Sequence, residues 1–211
     1  MMIKRNSTIL FQGDSITDCS RIREEPNEMG RGYPNFVSAW YNAENPETNA
    51  KFINRGISGN RVSDLKARWQ EDCIDLKPDI VSILIGVNDT WSYDECKCCT
   101  PVSEFKQDYH YLLSQVRERL NAKIILCEPF LIPFREEQRT LLRKNLEPEI
   151  NAVRELAAEF EATLIPLDNI FAEAVKKQDK SFWLFDGVHP TQNGHALIAQ
   201  NWLKAVLAGQ Q

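Results

Sequence analysis

The chain has 211 residues, of which 43% are hydrophobic and 26% are charged, and its formal net charge is −5. These values predict one globular domain with a sizeable core, spanning residues 1–211. Lys and Arg are scattered, which argues against a surface for nucleic acid or anionic membranes, and no apolar run reaches the ~18 residues of a membrane span. The N-terminus lacks the apolar region of a secretory signal, so we predict a cytoplasmic protein.

Five short apolar runs, rich in Val, Ile and Leu, have the character of buried strands. They lie at residues 8–11, 51–54, 80–85, 123–127 and 163–167. Segments with the period of amphipathic helices separate them. This alternation predicts an α/β fold: a single-domain three-layer α/β/α sandwich around a five-stranded parallel sheet of flavodoxin-like order 2-1-3-4-5.

The segments between the strands carry apolar residues at helical spacing. These residues are Val62, Leu65, Trp69 and Cys73 in one segment, Phe105, Tyr109, Leu112, Val116 and Leu120 in the next, Leu146, Ile150, Val153, Ala157 and Phe160 in the third, and Ile198, Trp202 and Val206 in the last. We expect Thr100 to cap the second helix, with Pro101 at its first position. Pro148 predicts a kink or a restart in the third.

Residues suited to catalysis follow the first three predicted strands. Ser15 lies in Gly-Asp-Ser-Ile-Thr at residues 13–17 after the first strand, Gly59 follows the second, and Asn88 the third. The carboxyl ends of parallel strands meet at one edge of a sheet, so we expect these residues to share a site. There a glycine N–H and an asparagine amide can donate hydrogen bonds to an oxyanion. Taken singly, Ser15 is equally explained as a helix N-cap and Gly59 as a turn residue.

A histidine and an acid stand close together near the C-terminus. Asp186 and His189 are three residues apart, between the fifth predicted strand and the last helix. This spacing lets the carboxylate reach one ring nitrogen while the other faces Ser15, and serine becomes a nucleophile only when an oriented base accepts its proton. His110 is expected on a helix surface, and His195 is an alternative base or a supporting group. We choose His189 as the candidate base.

These four segments, in this order, resemble the SGNH (GDSL) hydrolase superfamily. Its name lists the Ser, Gly, Asn and His that match Ser15, Gly59, Asn88 and His189, and the resemblance covers residues 8–206. It implies Ser15 as nucleophile, His189 as base and Asp186 as orienting acid. It also implies an oxyanion hole made of the N–H groups of Ser15 and Gly59 and the amide of Asn88, and esterase chemistry without metal or cofactor.

A narrower likeness, to bacterial SGNH acetylxylan esterases, rests on residues 11–18, 54–60 and 85–91. Those relatives remove acetyl groups from xylan-derived sugars. Many carry Gly-Arg where this chain has Ser20-Arg21, and Trp where it has Phe185. The likeness implies a serine esterase that deacetylates oligosaccharides through an acyl-serine. The substrate-binding candidates are Asp14, Arg55, Trp91 and Phe185.

Other functions stay open at this point. The nearest is a lysophospholipase or thioesterase of the same superfamily, and more remote ones are a non-catalytic flavodoxin-like binding module and a metal-dependent hydrolase using Asp14, Asp18 and Asp89. A cysteine cluster lacks the paired spacing of structural zinc sites, so we expect reduced thiols without metal. Its members are Cys96, Cys98 and Cys99. The expected partner is a small acetylated saccharide, and assembly into a homo-oligomer is plausible because related esterases often assemble.

Overall fold

The computed structural model describes residues 3–90, 99–136 and 138–207. Its centre is a five-stranded parallel sheet in the order β2-β1-β3-β4-β5, which confirms the predicted topology. The strands are β1 (Thr8–Gly13), β2 (Lys51–Asn54), β3 (Ile80–Leu84), β4 (Lys123–Cys127) and β5 (Thr163–Ile165). β1 continues past its apolar run because Gln12 and Gly13 pair with β3.

Helices cover both faces of the sheet. They are α1 (Ser15–Asp18), α2 (Tyr33–Glu44), α3 (Val62–Trp69), α4 (Val102–Arg119), α5 (Arg143–Glu159), α6 (Leu167–Ala174), α7 (Lys180–Trp183) and α8 (Gln192–Leu207). One buried cluster packs α2, α6 and α8 against the sheet, and the other packs α3, α4 and much of α5. Within the described ranges, no helix has the length and apolar character to cross a bilayer.

The side chains of β1 alternate between these two clusters, as the pleat of a strand requires. Ile9 and Phe11 belong to the first cluster, and Leu10 belongs to the second. Trp202 of α8 packs against Phe11 with ring centroids 5.4 Å apart, and its indole N–H donates to Ser82 Oγ at 3.0 Å. The buried indole N–H of Trp202 and the hydroxyl of Ser82 are thereby paired where α8 meets the sheet.

Two details of the helices differ from the sequence prediction. α4 begins at Val102 with Pro101 in the N-cap position, and the N–H of Thr100 donates to the carbonyl of Asp89. α5 continues through Pro148, so the predicted restart is absent and the alternative, a kink, stays a prediction, since proline cannot donate the usual helical hydrogen bond. The free-energy cost of the missing hydrogen bond is offset because Leu146 and Ile150, on the two sides of the proline, are fully buried in the core.

Glu149 of α5 is a buried carboxyl whose charge the fold disfavours. It is 2% exposed, and its Oε2 forms no hydrogen bond with any described residue. Burial, reinforced by repulsion from Asp89, raises its pKa from 4.5 to about 10. The unfolded chain would release this proton at the ordinary pKa, so the carboxyl increasingly destabilises the fold as pH rises between these two values.

We therefore expect Glu149→Gln, which keeps the shape of the protonated acid, to stabilise the protein in a pH-dependent way. The free energy of unfolding should rise at about pH 8 and stay nearly unchanged at about pH 4. Urea unfolding at both pH values measures this effect, with the exposed Glu118→Gln as control. Equal effects of Glu149→Gln at both pH values would contradict the prediction.

Candidate active site

Ser15 is the first residue of the short helix α1, directly after β1. Asp14 caps this helix, because its Oδ1 accepts the N–H of Ile16 at 3.0 Å. Gly13 is required before it, since a Cβ at that position would lie 2.4 Å from the carbonyl oxygen of Leu84. This tight turn places Ser15 at the carboxyl edge of the sheet.

The structure brings Ser15, His189 and Asp186 together, although serine and histidine are 174 positions apart. Ser15 Oγ lies 3.0 Å from His189 Nε2, and His189 Nδ1 lies 2.7 Å from Asp186 Oδ2. The other carboxylate oxygen of Asp186 accepts the N–H groups of Val188 and His189, at 2.9 and 2.8 Å. The acid thus holds the proton on Nδ1 and leaves Nε2 to accept the proton of the serine.

The ionised acid and the histidine stabilise each other electrostatically. Burial alone would raise the pKa of Asp186, but hydrogen bonds from His189 and Val188 hold it well below its ordinary range. The hydrogen bond with Asp186 raises the pKa of His189 above its ordinary value of 6.5, against the opposing effect of burial. The imidazolium that forms during proton transfer is therefore stabilised.

The raised pKa of His189 predicts how activity depends on pH. Nε2 accepts the serine proton only when the ring is neutral, so activity should be lost as pH falls through a value above 6.5. Asp186→Asn removes the stabilising charge and should move the acid limb of kcat/KM to lower pH, with kcat falling on the order of 10⁴-fold. Initial rates across the pH range measure both effects, and an acid limb that does not move would contradict the role of Asp186.

Gly59 and Asn88 lie in the loops that follow β2 and β3. Gly59 is exposed and has φ +84°, and no atom lies within 4 Å of a Cβ built there, so its left-handed backbone, not crowding, requires glycine. Asn88 Nδ2 donates to the carbonyl of Asn60 at 3.0 Å, and an amide nitrogen carries a second N–H that can donate to a ligand. This bond connects the two loops. The N–H of Ser15, in the first turn of α1, needs no helical acceptor.

Asp18 supports the loop that carries Gly59, a role that sequence reasoning missed. Its Oδ2 accepts the backbone N–H and the hydroxyl of Ser58, at 2.8 and 3.0 Å, and it pairs with Arg23. Asp18 is the last residue of α1, so it ties the helix that begins with Ser15 to the residue before Gly59. The sequence offered one signal for this role, because Asp18 lies just after the first motif, four residues beyond Asp14.

We expect Asn88→Ala to lower kcat by about 10²- to 10³-fold, because it removes one hydrogen-bond donor that a charged intermediate needs. KM should change little, since the bond strengthens only as negative charge develops. Steady-state kinetics on one soluble ester, with the exposed Asn169→Ala as control, measure this. A loss confined to KM would contradict an oxyanion role.

Comparison with known proteins agrees with this geometry. A family model described as the GDSL-like Lipase/Acylhydrolase family matches residues 11–197, most of the chain. The chain belongs to this family. Its sheet order is that of the SGNH fold, which the sequence motifs predicted.

One similar sequence and two similar structures give a closer comparison. The chain is 34% identical to an acetylxylan esterase from Geobacillus stearothermophilus, over 98% of this chain and 96% of the esterase. The crystal structure of Axe2, an acetylxylan esterase from that organism, aligns with a TM-score of 0.88 over 97% of this chain and 96% of Axe2. A GDSL-like lipase structure from Parabacteroides merdae has a TM-score of 0.89 and 36% identity over 97% of both chains. These likenesses indicate a carboxylic ester hydrolase.

Asp14 of this GDSL-family chain is buried beside Ser15. It is 1% exposed and its carboxylate caps α1. Burial raises its pKa to about 7, against the opposing effects of the Ile16 N–H and of His189. In this structure the carboxylate of Asp14 has a role in the fold, and its contact with substrate stays a prediction. Asp14 fixes the start of the helix that carries the nucleophile.

The other substrate-binding candidates differ in exposure. Arg55 is largely packed into its loop, with its side chain 18% exposed and its Nε 3.4 Å from Asp72 Oδ1. Phe185 is 72% exposed, and its backbone N–H donates to the backbone carbonyl of His189 at 2.8 Å. Trp91 lies outside the described residues.

The three carboxylates of the metal-dependent alternative have different partners. Asp14 caps α1, Asp18 holds Ser58, and Asp89 Oδ2 accepts the N–H of Val62 at 3.2 Å. In the parts of the chain that the structure describes, no three His, Cys, Asp or Glu side chains are arranged to hold a metal ion. Two residues of the cysteine cluster lie outside those parts, Cys96 and Cys98.

The remaining histidines have roles in the fold. His195 is 4% exposed, and its Nδ1 accepts the N–H of Tyr33 at 3.2 Å, which leaves the ring proton on Nε2, 3.3 Å from Cys19 Sγ. Burial lowers its pKa to about 4, so it is neutral at physiological pH. Because Tyr33 begins α2, His195 caps that helix. His110 is an exposed residue of α4 paired with Glu159.

Proposed function

We propose that this protein is a serine esterase that removes acetyl groups from xylan-derived or related oligosaccharides through an acyl-serine intermediate. The observation that carries the proposal is the hydrogen-bonded series from Ser15 Oγ through His189 to Asp186. The esterase likeness over nearly the whole chain supports the choice of substrate class.

The first half-reaction transfers the acyl group to the enzyme. His189 Nε2 takes the proton of Ser15 Oγ as this oxygen bonds to the ester carbonyl carbon. The carbonyl oxygen becomes an oxyanion, and the N–H groups of Ser15 and Gly59 and the amide of Asn88 stabilise it. The bond to the alcohol oxygen then breaks, and His189 gives its proton to the leaving alcohol.

The second half-reaction releases the acid. A water molecule attacks the acyl carbon while His189 takes its proton, and the oxyanion forms again in the same place. The bond to Ser15 Oγ breaks, and His189 returns the proton to the serine. The products are free enzyme and the carboxylic acid.

The open position of the catalytic pair favours a bulky alcohol as leaving group. The side chains of His189 and Asp186 are 48% and 45% exposed. A saccharide can therefore approach the base from solvent, and the exposed ring of Phe185, the residue before Asp186, is available to it as an apolar surface. The chain has no long insertion to form an acyl-chain tunnel, which favours acetyl over long acyl groups.

A lipid or thioester hydrolase is the second candidate. The likeness to a GDSL-like lipase favours it, at an identity similar to that of the esterase. The two candidates share the same half-reactions and differ in the acyl chain that the cleft accepts. Acyl-length preference therefore separates them.

The test measures initial rates on p-nitrophenyl acetate, butyrate and octanoate and on acetylated xylooligosaccharides, with Ser15→Ala as blank. A steep preference for acetyl, stronger on the sugar, is the expected result. Preference for octanoate would move the assignment to lipid or thioester hydrolysis, and absence of Ser15-dependent turnover would favour a binding module. A rate lost to a chelator and restored by Zn²⁺ or Mn²⁺ would favour the metal-dependent alternative.

A further inference from the structure

The acid–base turn at residues 186–189 is half-exposed, so its geometry depends on contacts on its buried side. Asp186 Oδ1 and Oδ2 bond within the turn itself, to Val188 and His189. These bonds hold the carboxylate to the histidine but do not hold the turn to the rest of the protein. The attachment must come from other atoms.

Gln138 supplies one such attachment from a distant part of the chain. Its Nε2 donates to the backbone carbonyl of Asp186 at 2.6 Å, across 48 positions of sequence. Its Oε1 accepts the N–H groups of Phe134 and Arg135, at 2.7 and 3.1 Å. The residue is 6% exposed, so water does not compete for these bonds. One side chain thus joins the loop after β4 to the catalytic acid.

The same loop makes a second contact with the turn. The N–H of Ile132 donates to the carbonyl of Gly187 at 3.0 Å. Gly187 has φ +101°, and a Cβ there would lie 2.5 Å from the carbonyl oxygen of Ile132. The turn and the loop therefore pack as closely as backbone allows, and Gln138 is the side chain that completes the contact at Asp186.

We propose that Gln138 is a positioning residue that holds Asp186, through its backbone carbonyl, where the carboxylate can orient His189 toward Ser15. The proposal rests on the proposed serine-hydrolase function. Gln138 touches neither the substrate nor the reacting atoms. Its effect on the reaction passes entirely through the acid.

Loosening this contact should weaken the hydrogen bond between Asp186 and His189. Less stabilisation of the imidazolium lowers the pKa of His189, and a less oriented ring accepts the serine proton more slowly. Substrate binding does not involve Gln138, so KM should stay near the wild-type value. The combination of a lower kcat, an unchanged KM and an acid limb at lower pH is specific to a positioning role.

The primary variant is Gln138→Met, which keeps the length of the side chain and removes every hydrogen bond. We expect kcat to fall about 10-fold or more, as for other residues that orient a catalytic group through one hydrogen bond. The matched control is Gln12→Met, since Gln12 is fully buried and also donates to a backbone carbonyl, that of Asp72 at 2.7 Å. The control should lower thermal stability without moving the acid limb.

A second variant guards against a folding defect. Gln138→Glu keeps an acceptor for Phe134 and Arg135, and burial favours its protonated form, whose O–H can still donate to the carbonyl of Asp186. We expect Gln138→Glu to keep at least half of the wild-type kcat, and wild-type kcat in a folded Gln138→Met would overturn the proposal. In the Asp186→Asn background, Gln138→Met should lower kcat by less than about 2-fold, because both changes act through the same group. Multiplying losses would show a general structural role and overturn the proposal.

Titration of the His189 ring by NMR makes the test independent of turnover. The signal is assigned by its absence in His189→Gln. Gln138→Met should lower the pKa of His189 even if the enzyme hydrolyses none of the esters tried. Absence of hydrolysis would count only against the proposed function. Ser15-dependent turnover with an unchanged His189 titration in Gln138→Met would overturn the positioning role alone.

Discussion

Replacing Ser15 by Ala is expected to lower ester hydrolysis on the order of 10⁵- to 10⁶-fold, to a rate set by the binding and oxyanion groups alone. The serine oxygen is the atom that bonds to the carbonyl carbon, and among the described residues no other hydroxyl forms a hydrogen bond with His189 Nε2. Without it, His189 can only activate water at a poorly suited position, so both half-reactions lose their common intermediate.

The Ser15→Ala variant should fold as the wild type does. Asp14 caps α1, and the Ser15 hydroxyl forms its hydrogen bond with His189, so the helix does not depend on this hydroxyl. Initial rates and thermal unfolding measure the two expectations, with the exposed Ser103→Ala as control. Activity at a tenth of the wild-type rate, in a protein free of wild-type contamination, would contradict the nucleophile assignment.

His189→Ala is expected to lower kcat by about 10⁵-fold, whereas His195→Ala should cost less than about 10-fold. The difference follows from their partners. His189 Nε2 lies 3.0 Å from the serine oxygen, while both nitrogens of His195 face groups of the fold, the N–H of Tyr33 and the thiol of Cys19. A group so enclosed has no path to the reacting proton.

The His195→Ala variant should instead lose stability, by about 1–3 kcal/mol, because the first N–H of α2 is left without its buried acceptor. Steady-state kinetics well below the unfolding temperature, together with urea unfolding, separate the two effects. Equal losses of kcat in the two variants, both still folded, would mean that the base has been assigned to the wrong histidine.

Much of the fold could be predicted from local sequence patterns. A run such as residues 80–85 is apolar throughout, and a buried parallel strand requires this of a few consecutive residues. Helical spacing in α4 is likewise a property of neighbouring positions. Strand ends then placed Ser15, Gly59 and Asn88 at one edge of the sheet, because parallel strands have their carboxyl ends together.

At two residues, tertiary packing outweighs the local preference on which the sequence prediction rested. Pro148 favours a helix break, yet the flanking residues 146 and 150 are buried and α5 continues. Asp14 is a charged residue, which favours an exposed position, yet its carboxylate is buried and caps α1. In both cases, burial against distant segments outweighs the preference of the single residue.

The sequence by itself determined the parallel α/β class, the sheet edge that carries the site and the residue types of the triad, because these depend on short-range periodicity, on local motifs and on the general geometry of parallel sheets. The tertiary structure alone decided which polar side chains support the site. Asp18 meets Ser58 across 40 positions and Gln138 meets Asp186 across 48. A buried side chain takes its hydrogen-bond partner from whichever segment packs against it, and that packing is settled only when the whole chain has folded.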